Sequence, residues 1–375
     1  MRSSSSTVVP ANDFARQWQD VREDALEAVD RVGRSGWLVL GEEVLAFERD
    51  LAEFWGVGHA VGVASGLDAL EIGLRCTGVR PGSRVLTTPL TAFATTLAIV
   101  RAGAEPVWCD VDQNGGIDLD HAEAALRADR SIRAMIPVHL YGHPLDPARL
   151  ARLAEDYQLT IIEDCAQSVG AERDGRATGL VGRAAATSLY PTKNLGAMGD
   201  GGVLLSDSVE LAERARRLRD YGQGARYEHV ELGLNSRLDE LQAAILRSAL
   251  LPRLSGWLER RRDIAERYSE GLAGCSLRPI TAGGGRSAHH LFPVEVTEGE
   301  PGAVAERLAD HGVAIGRHYP RLCSEQPAIA GHGIVCGPLA IAQRLAEREL
   351  SLPIHPYLQD AEVDRVIAAC LETCG

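Results

Sequence analysis

The sequence is almost without lysine: of its 39 basic side chains, 38 are arginine and one, Lys193, is not. It also lacks an uninterrupted apolar run of about 18 residues, which excludes an ordinary membrane-spanning helix. The opening MRSSSSTVVPANDF has no apolar core of the kind a secretory signal needs, so the cytoplasm is the expected compartment. Surplus positive charge is missing as well. The 52 acidic residues leave a net charge of −13, which argues against a broad nucleic-acid-binding face. None of the eight cysteines forms a CxxC pair, so no zinc or iron–sulfur site is expected and the thiols read as reduced. What remains is ordinary globular chemistry, 45% hydrophobic and 24% charged, in 375 residues that suit two or three domains.

Residues 1–12 are polar and Ser-rich and read as a mobile terminus. Phe14, Trp18, Val21, Leu26 and Val29 then recur near helical spacing, and a second amphipathic helix runs through Val44, Phe47, Leu51 and Trp55. After these, strand candidates at 60–64, 84–88, 105–109, 134–139, 160–162, 185–189 and 202–206 are interleaved with helices at 68–75, 95–101 and 147–157. This alternation predicts an α/β domain with a mostly parallel sheet, occupying residues 13–250 with the N-terminal helices. A long helical stretch, 238–267, is weakened by Pro252 and Gly256. Beyond about Gly271 the pattern changes to strands at 291–296 and 313–316 and helices at 304–311, 338–349 and 360–371. Glycine-rich surface loops are expected at 283–285 and 331–337, and residues 251–375 as a whole read as a smaller α/β domain.

The lone lysine stands in SLYPTKNLG, directly before GDGG and a new apolar strand. A chain that uses arginine wherever a plain positive charge suffices keeps lysine where a primary amine must lose its proton, as in Schiff-base chemistry with a carbonyl. A second feature is LTIIEDCAQ, an apolar run ending in Asp164 at the strand edge where open α/β sheets bind ligands. A carboxylate there can pair with a protonated ring nitrogen, and Gln167 can donate to a phenolic oxygen of the same ring. A strand-end acid also serves as a turn former or helix cap, so this feature alone decides nothing. The third feature is VGVASGLDAL, a strand, a small-residue turn and a helix start. Unpaired N–H groups at Ser65 and Gly66 would make a phosphate cradle, with the Ser188 hydroxyl beside it. Phosphate cradle, ring-nitrogen carboxylate and aldehyde-reactive amine together are what pyridoxal 5′-phosphate (PLP) requires.

The segments ASGLDALEIGLR, TTPLTAFATTLAIVRAGAEPV, IPVHLYGHPLD, IIEDCAQSVGA, SLYPTKNLGAMGDGG, LNSRLDELQAAIL, HYP and LSLPIHP resemble the DegT/DnrJ/EryC1/StrS sugar aminotransferases, of fold type I among PLP enzymes. The resemblance spans residues from about 35 to 356. It implies a large PLP domain with a mostly parallel sheet between helices and a smaller C-terminal α/β domain. It further implies that Lys193 carries the cofactor and shuttles protons, that Asp164 meets the pyridinium nitrogen and that Gln167 lies beside the ring. Ser65, Gly66, Leu67 and Ser188 fall where the family holds the phosphate. Asn235 matches a residue that reaches the phosphate from a neighbouring subunit, so a homodimer with shared active sites is expected. Relatives that act as sugar dehydratases carry histidine in place of this lysine, so Lys193 favours amino transfer. One position departs from the family. The usual Thr-aromatic-x-Ala-Thr reads Thr91-Ala-Phe-Ala-Thr95 here, leaving either Phe93 near the ring or that face without an aromatic.

The implied reaction moves an amino group from L-glutamate to a nucleotide-linked keto-deoxyhexose, with PLP cycling through pyridoxamine 5′-phosphate. PVHLYGHPLD occurs in relatives that aminate the 3-position of dTDP-sugars in antibiotic biosynthesis and in 4-aminotransferases, so the carbon is open. Tyr190, Arg226, Arg237, His318 and Arg321 are the residues expected to contact the sugar or its diphosphate. The alternatives are an inosose aminotransferase of aminocyclitol pathways and a PLP-dependent lyase. A PLP-sensing transcription regulator would need a DNA-binding helix-turn-helix, for which the N-terminal segment leaves no room.

Overall fold

The computed structural model describes residues 8–374. Two helices come first. α1 (Phe14–Ser35) starts where the Asp13 side chain accepts the Arg16 N–H and stops at Gly36, whose φ of 66° an L side chain would resist. α2 (Glu42–Trp55) ends in the same way at Gly56. The buried stripe of α1 is Val21, Ala25, Ala28 and Val32, which joins Phe47 and Leu51 of α2 in one cluster with Leu246, Leu250 and Leu254. Phe14, Trp18, Leu26 and Val29, expected as part of its apolar face, are instead among the exposed large hydrophobics. Small alanines form the real contact face, and their weak hydrophobicity hid it.

An alternating strand–helix run then builds the main sheet from β1 (His59–Val63), β2 (Arg84–Thr87), β3 (Glu105–Trp108), β4 (Ile132–Met135) and β5 (Thr160–Asp164). Between these lie α3 (Gly66–Cys76) and α4 (Phe93–Arg101). A two-residue pair, β6 (Glu172–Arg173) with β7 (Arg176–Ala177), precedes β8 (Ala184–Ser188) and β9 (Gly202–Ser206). A short hairpin, β10 (Gln223–Ala225) with β11 (Glu228–His229), follows. The C-terminal part adds β12 (Leu277–Pro279), β13 (Phe292–Val296), β14 (Ile334–Val335) and β15 (Glu349–Leu352). The eight-stranded sheet runs β1-β9-β8-β5-β4-β2-β3-β14 and is parallel except for β9, which is antiparallel to both neighbours. It is the α/β fold with a mostly parallel sheet that the alternation predicts. Its strands other than the edge strand β14 are mostly buried, as a sheet covered by helices on both faces must be.

A second, antiparallel sheet, β12-β13-β15, has its own cluster with Ile264, Tyr268, Leu308, Val313 and Val366. Four local expectations change. The 238–267 stretch is helical throughout, but as Glu240–Ile245, a π turn at Leu246–Leu250, a 3₁₀ turn at Leu251–Arg253 around Pro252, and Leu254–Gly271. The 331–337 segment is not only loop, since β14 within it extends the main sheet alongside β3. The expected strand at 313–316 is reduced to isolated bridges, Val9 with Val313 and Gly316 with Ser351. Of the terminus expected to be mobile, residues 1–7 lie outside the described residues. Val9 is instead fully buried and exchanges backbone hydrogen bonds with Gly312 and Ala314.

Candidate active site

Parallel strands β4, β5 and β8 deliver their C-terminal ends to one edge of the sheet, the usual position for ligands in such folds. Asp164 closes β5 there and is buried. Its Oδ2 accepts the Thr95 hydroxyl at 2.8 Å and its Oδ1 accepts the Ala166 N–H at 3.1 Å. Thr91 extends the chain to Thr95 at 3.1 Å. Burial pushes the Asp164 acid above its ordinary value, against the pull of these donors and of Lys193. Such a carboxylate is stabilised by any cation brought against it.

Lys193 enters from the loop between β8 and β9. That loop is a compact turn closed by Lys193 N–H to Tyr190 O at 2.8 Å and Ala197 N–H to Leu189 O at 2.7 Å. Gly196 is required by contact, because a Cβ there would lie 2.3 Å from Pro191 O. Burial lowers the Lys193 ammonium to about 8, with Asp164 opposing the shift. A larger share of the amine is therefore neutral near physiological pH than in an ordinary lysine, as proton transfer and attack on a carbonyl both demand.

The antiparallel insertion of β9 brings the third group into place. Gly202 pairs with Val63 on one side and Ser188 on the other, so the turn after β1 meets the end of β8. A Cβ on Gly202 would come within 2.2 Å of Ser65 C, and one on Gly66 within 2.8 Å of Ser188 Cβ. The Ser65 hydroxyl caps α3 by accepting the Asp68 N–H at 3.1 Å. The first-turn amides of Gly66 and Leu67 carry no intramolecular hydrogen bond among the described residues, as orphan donors at a helix start do. Ser188 lies against them, its Oγ accepting the Tyr190 N–H at 3.2 Å.

Gln167 is fixed on the opposite side. Its Oε1 accepts the Tyr141 N–H at 2.6 Å and its Nε2 donates to the Tyr319 hydroxyl at 3.2 Å. Tyr141 holds a left-handed φ of 63°, a conformation that costs a bulky residue energy, and its hydroxyl is tied to His318 O at 2.8 Å. Gly142 follows because a Cβ would stand 2.9 Å from Gln167 O. This explains the LYG of that segment.

Lys193, Asp164, Gln167, Ser65, Gly66, Leu67 and Ser188 thus gather along one edge of the sheet. Phe93 opens α4, half-buried, two residues before Thr95. His318 lines a cavity beside Lys193 with Thr192 and His290. The other expected substrate residues are not drawn in by their own chain. Tyr190 and Arg321 are exposed, and Arg226 lies over the Tyr227 ring on the exposed β10–β11 hairpin. Arg237 pairs with Asp220 at 3.1 Å and covers the Tyr221 ring. Asn235 is exposed, while its neighbour Ser236 accepts the Ala64 N–H and donates to Asp68 behind the cradle. Sequence reasoning missed Thr95, Tyr319 and Ser236. Each lies within a family-like segment, TAFAT, HYP and NSR, but only the fold shows what its hydroxyl meets.

The donor set fits PLP: a buried carboxylate seeking a cation, an amine near neutrality, and free helix-start amides with two serines for a phosphate. Fold and site together define a type I PLP-dependent enzyme. The family model for the DegT/DnrJ/EryC1/StrS aminotransferase family matches residues 19–371, and the chain belongs to that family of PLP-dependent aminotransferases. A dTDP-3-amino-3,4,6-trideoxy-alpha-D-glucose transaminase of Streptomyces venezuelae is 40% identical, across 97% of this chain and 96% of its own. A UDP-2-acetamido-2-deoxy-3-oxo-D-glucuronate aminotransferase of Pseudomonas aeruginosa is 35% identical, across 95% and 98%. The crystal structure of S. venezuelae DesV superposes with a TM-score of 0.93 at 39% identity, covering 98% of both chains. Among the described residues no helix is long and apolar enough to cross a membrane.

Proposed function

We propose that this enzyme transfers an amino group from L-glutamate to a nucleotide-linked keto-deoxyhexose, a dTDP-3-keto or 4-keto sugar in amino-sugar or antibiotic biosynthesis. The observation that carries this reading is the poised amine of the sole lysine beside the buried Asp164, at the sheet edge that also presents the helix-start amides of α3. The two relatives named above, each matched over nearly their full length, support a nucleotide ketosugar over an inosose.

When bound, PLP supplies an electron sink for the charge left as the donor's α-proton departs. The protein's part follows from its own atoms. Ser65, Ser188 and the amides of Gly66 and Leu67 hold the phosphate. The Asp164 carboxylate keeps a proton on the ring nitrogen, and Thr95 holds that carboxylate in orientation. Gln167 Nε2 donates beside the ring. Lys193 Nζ takes the α-proton and delivers it one position away, then works in reverse on the acceptor half-reaction. Phe93 is assigned to the ring's neighbourhood.

The unit proposed is a homodimer. Phe14, Trp18, Trp37, Leu38, Leu45, Tyr227 and Leu232 stand exposed, as large apolar side chains do where a partner covers them. Asn235, Arg226 and Arg237, unused by their own site, would serve the phosphate and the diphosphate of a second copy, and Tyr190, His318 and Arg321 the sugar. The proposed units are 13–250 and 251–375, in a cytoplasmic enzyme; the second is built around the cluster under β12-β13-β15, while Leu254 and β14 pack with the first. The test is an absorption titration: glutamate converts the holoenzyme to its amine form, then nucleotide ketosugars and scyllo-inosose are added in turn. A dTDP-ketosugar is expected to restore the starting spectrum. Restoration by scyllo-inosose alone, or release of ammonia without any acceptor, would replace this reading by the aminocyclitol or the lyase alternative.

A further inference from the structure

A cavity of about 240 Å³ opens beside Lys193, walled by Thr192, His290, His318, Ser351 and the N-terminal residues Ala11 and Asn12. Among the described residues lining it, none is arginine or lysine. Both histidines are tied at one nitrogen. His318 Nδ1 lies 2.8 Å from Ser351 Oγ, and Ser351 Oγ is in turn hydrogen-bonded to Glu349 Oε1. Glu349 Oε2 accepts the His318 backbone N–H at 2.6 Å. An ionised carboxylate only accepts, so the single Ser351 proton goes to Glu349 and the serine oxygen must accept from His318 Nδ1–H. Asn194 sets His290 in the same way. Its Nδ2 donates to Ala288 O at 2.8 Å, which turns its Oδ1 toward His290 Nδ1 at 3.3 Å. In both rings the polar atom left over is an Nε2 lone pair.

We propose that Glu349, Ser351 and Asn194 are positioning residues that hold His318 and His290 as Nδ1–H tautomers, so that this wall accepts hydroxyl hydrogens from a neutral hexose and selects against a hexuronate. This rests on the sugar reading above and names the class of sugar. A carboxylate placed against two lone pairs, with no arginine in the wall and Lys193, the one nearby cation, committed to giving up its proton, loses solvation that the wall does not replace. The donor's carboxylates are then held away from this wall.

Burial keeps both rings neutral: His318 is lowered to about 4, and His290 lies well below its ordinary value, with Lys193 acting on both and Arg261 on His290 as well. Burial also raises Glu349 to about 7, opposed by Ser351, the His318 amide and Arg317. Tyr141 and Tyr319 also sense its charge. Across the sheet Glu295, held by Arg278 and Arg344, is its strand partner. The ionised form therefore prevails above neutrality, and the assignment is tested there.

The experiment compares the holoenzyme with Ser351→Ala and Ser351→Thr on two UDP-linked 3-ketosugars, a neutral hexose and a hexuronate. Histidine nitrogens are read in parallel by two-bond ¹H–¹⁵N correlation spectra. Expected is a kcat/KM for the neutral sugar at least tenfold above the uronate, roughly the worth of a buried polar mismatch. Ser351→Ala should raise the neutral sugar's KM about tenfold more than it changes the glutamate half-reaction, with Ser351→Thr restoring it. The ¹⁵N spectrum should show His318 protonated at Nδ1 in the natural protein and redistributed in Ser351→Ala. Equal or better use of the uronate, or a proton on Nε2, overturns the proposal. Should glutamate react but neither these sugars nor a dTDP-ketosugar be accepted, the sugar reading fails, and the nitrogen spectrum still decides the tautomer separately.

Discussion

The edge that gathers Lys193, Asp164 and Ser188 differs sharply from the β10–β11 hairpin and the segment to Arg237 that follows it. In the first, Asp164 and Ser188 are held by hydrogen bonds, and the turns around them by glycines whose Cβ would meet neighbouring atoms. In the second, Arg226 and Arg237 stack on neighbouring tyrosines, Asn235 is exposed, and Tyr227 and Leu232 stand largely in solvent. One region is finished within a single chain. The other has apolar and cationic groups whose own chain gives them no cavity. If the proposed homodimer holds, cofactor chemistry draws chiefly on one subunit, with Asn235 crossing to the phosphate, whereas grip on a charged substrate is shared by the assembly.

The harshest way to break that comparison is to remove the amine. Lys193→Ala should lower turnover by about 10⁴-fold or more, because it removes both the proton carrier and the covalent anchor. Lys193→Arg should fare no better, since guanidinium does not give up its proton. The sequence holds no second lysine to substitute. Turnover by either variant within tenfold of the natural enzyme would show that the first region is not where the chemistry happens.

Asp164→Asn should cost less, roughly 10²- to 10³-fold, because an amide retains the shape but not the charge that keeps the ring nitrogen protonated. The same variant reads the coupling between the two groups. Asp164 raises the Lys193 value that burial has lowered to about 8, so its removal should push that value lower still. Trapping of the apoenzyme's amine by a pyridoxal-class aldehyde and borohydride follows the neutral form. It should rise with pH through half its maximum near 8 in the natural protein, and reach its midpoint at lower pH in Asp164→Asn. An unchanged break would mean that the two groups do not share one electrostatic site.

How far the sequence could be read follows the same division. Lys193 was legible because lysine is scarce, and Asp164 because an apolar strand ends on it. Both are local signals. The helix–strand alternation gave the main sheet for the same reason. Ile334–Val335 was read as loop because a two-residue strand in a glycine segment becomes one only by meeting Val107 and Trp108, more than 200 residues earlier. Glu349 and Ser351 were silent because their contact with His318 depends on the pairing of Gly316 with Ser351. The buried face of α1 was misread toward Phe14 and Trp18 because Ala25 and Ala28 contribute little to a hydrophobic pattern. Thr95 shows the limit most plainly. Its hydroxyl stands in the quoted TAFAT, yet only the packing of α4 against the end of β5 turns it toward Asp164.

The mildest perturbation addresses the unfinished region. Arg226→Ala removes an exposed cation that is half-spent on Tyr227, so folding and cofactor binding should be nearly untouched. If Arg226 serves a nucleotide diphosphate, KM for the nucleotide sugar should rise about tenfold, the worth of one charge-assisted contact, while the glutamate half-reaction changes little. The decisive version mixes subunits. Arg226→Ala and Lys193→Ala each impair the homodimer, but a mixed dimer has one site combining an intact Lys193 with the partner's intact arginine. Recovery of about a quarter to a half of the natural dimer's rate with the nucleotide sugar, rising with the fraction of mixed dimers, would mean that the hairpin works across the interface. No recovery, with dimers confirmed by sedimentation, would return Arg226 to its own subunit and erase the contrast between the two regions.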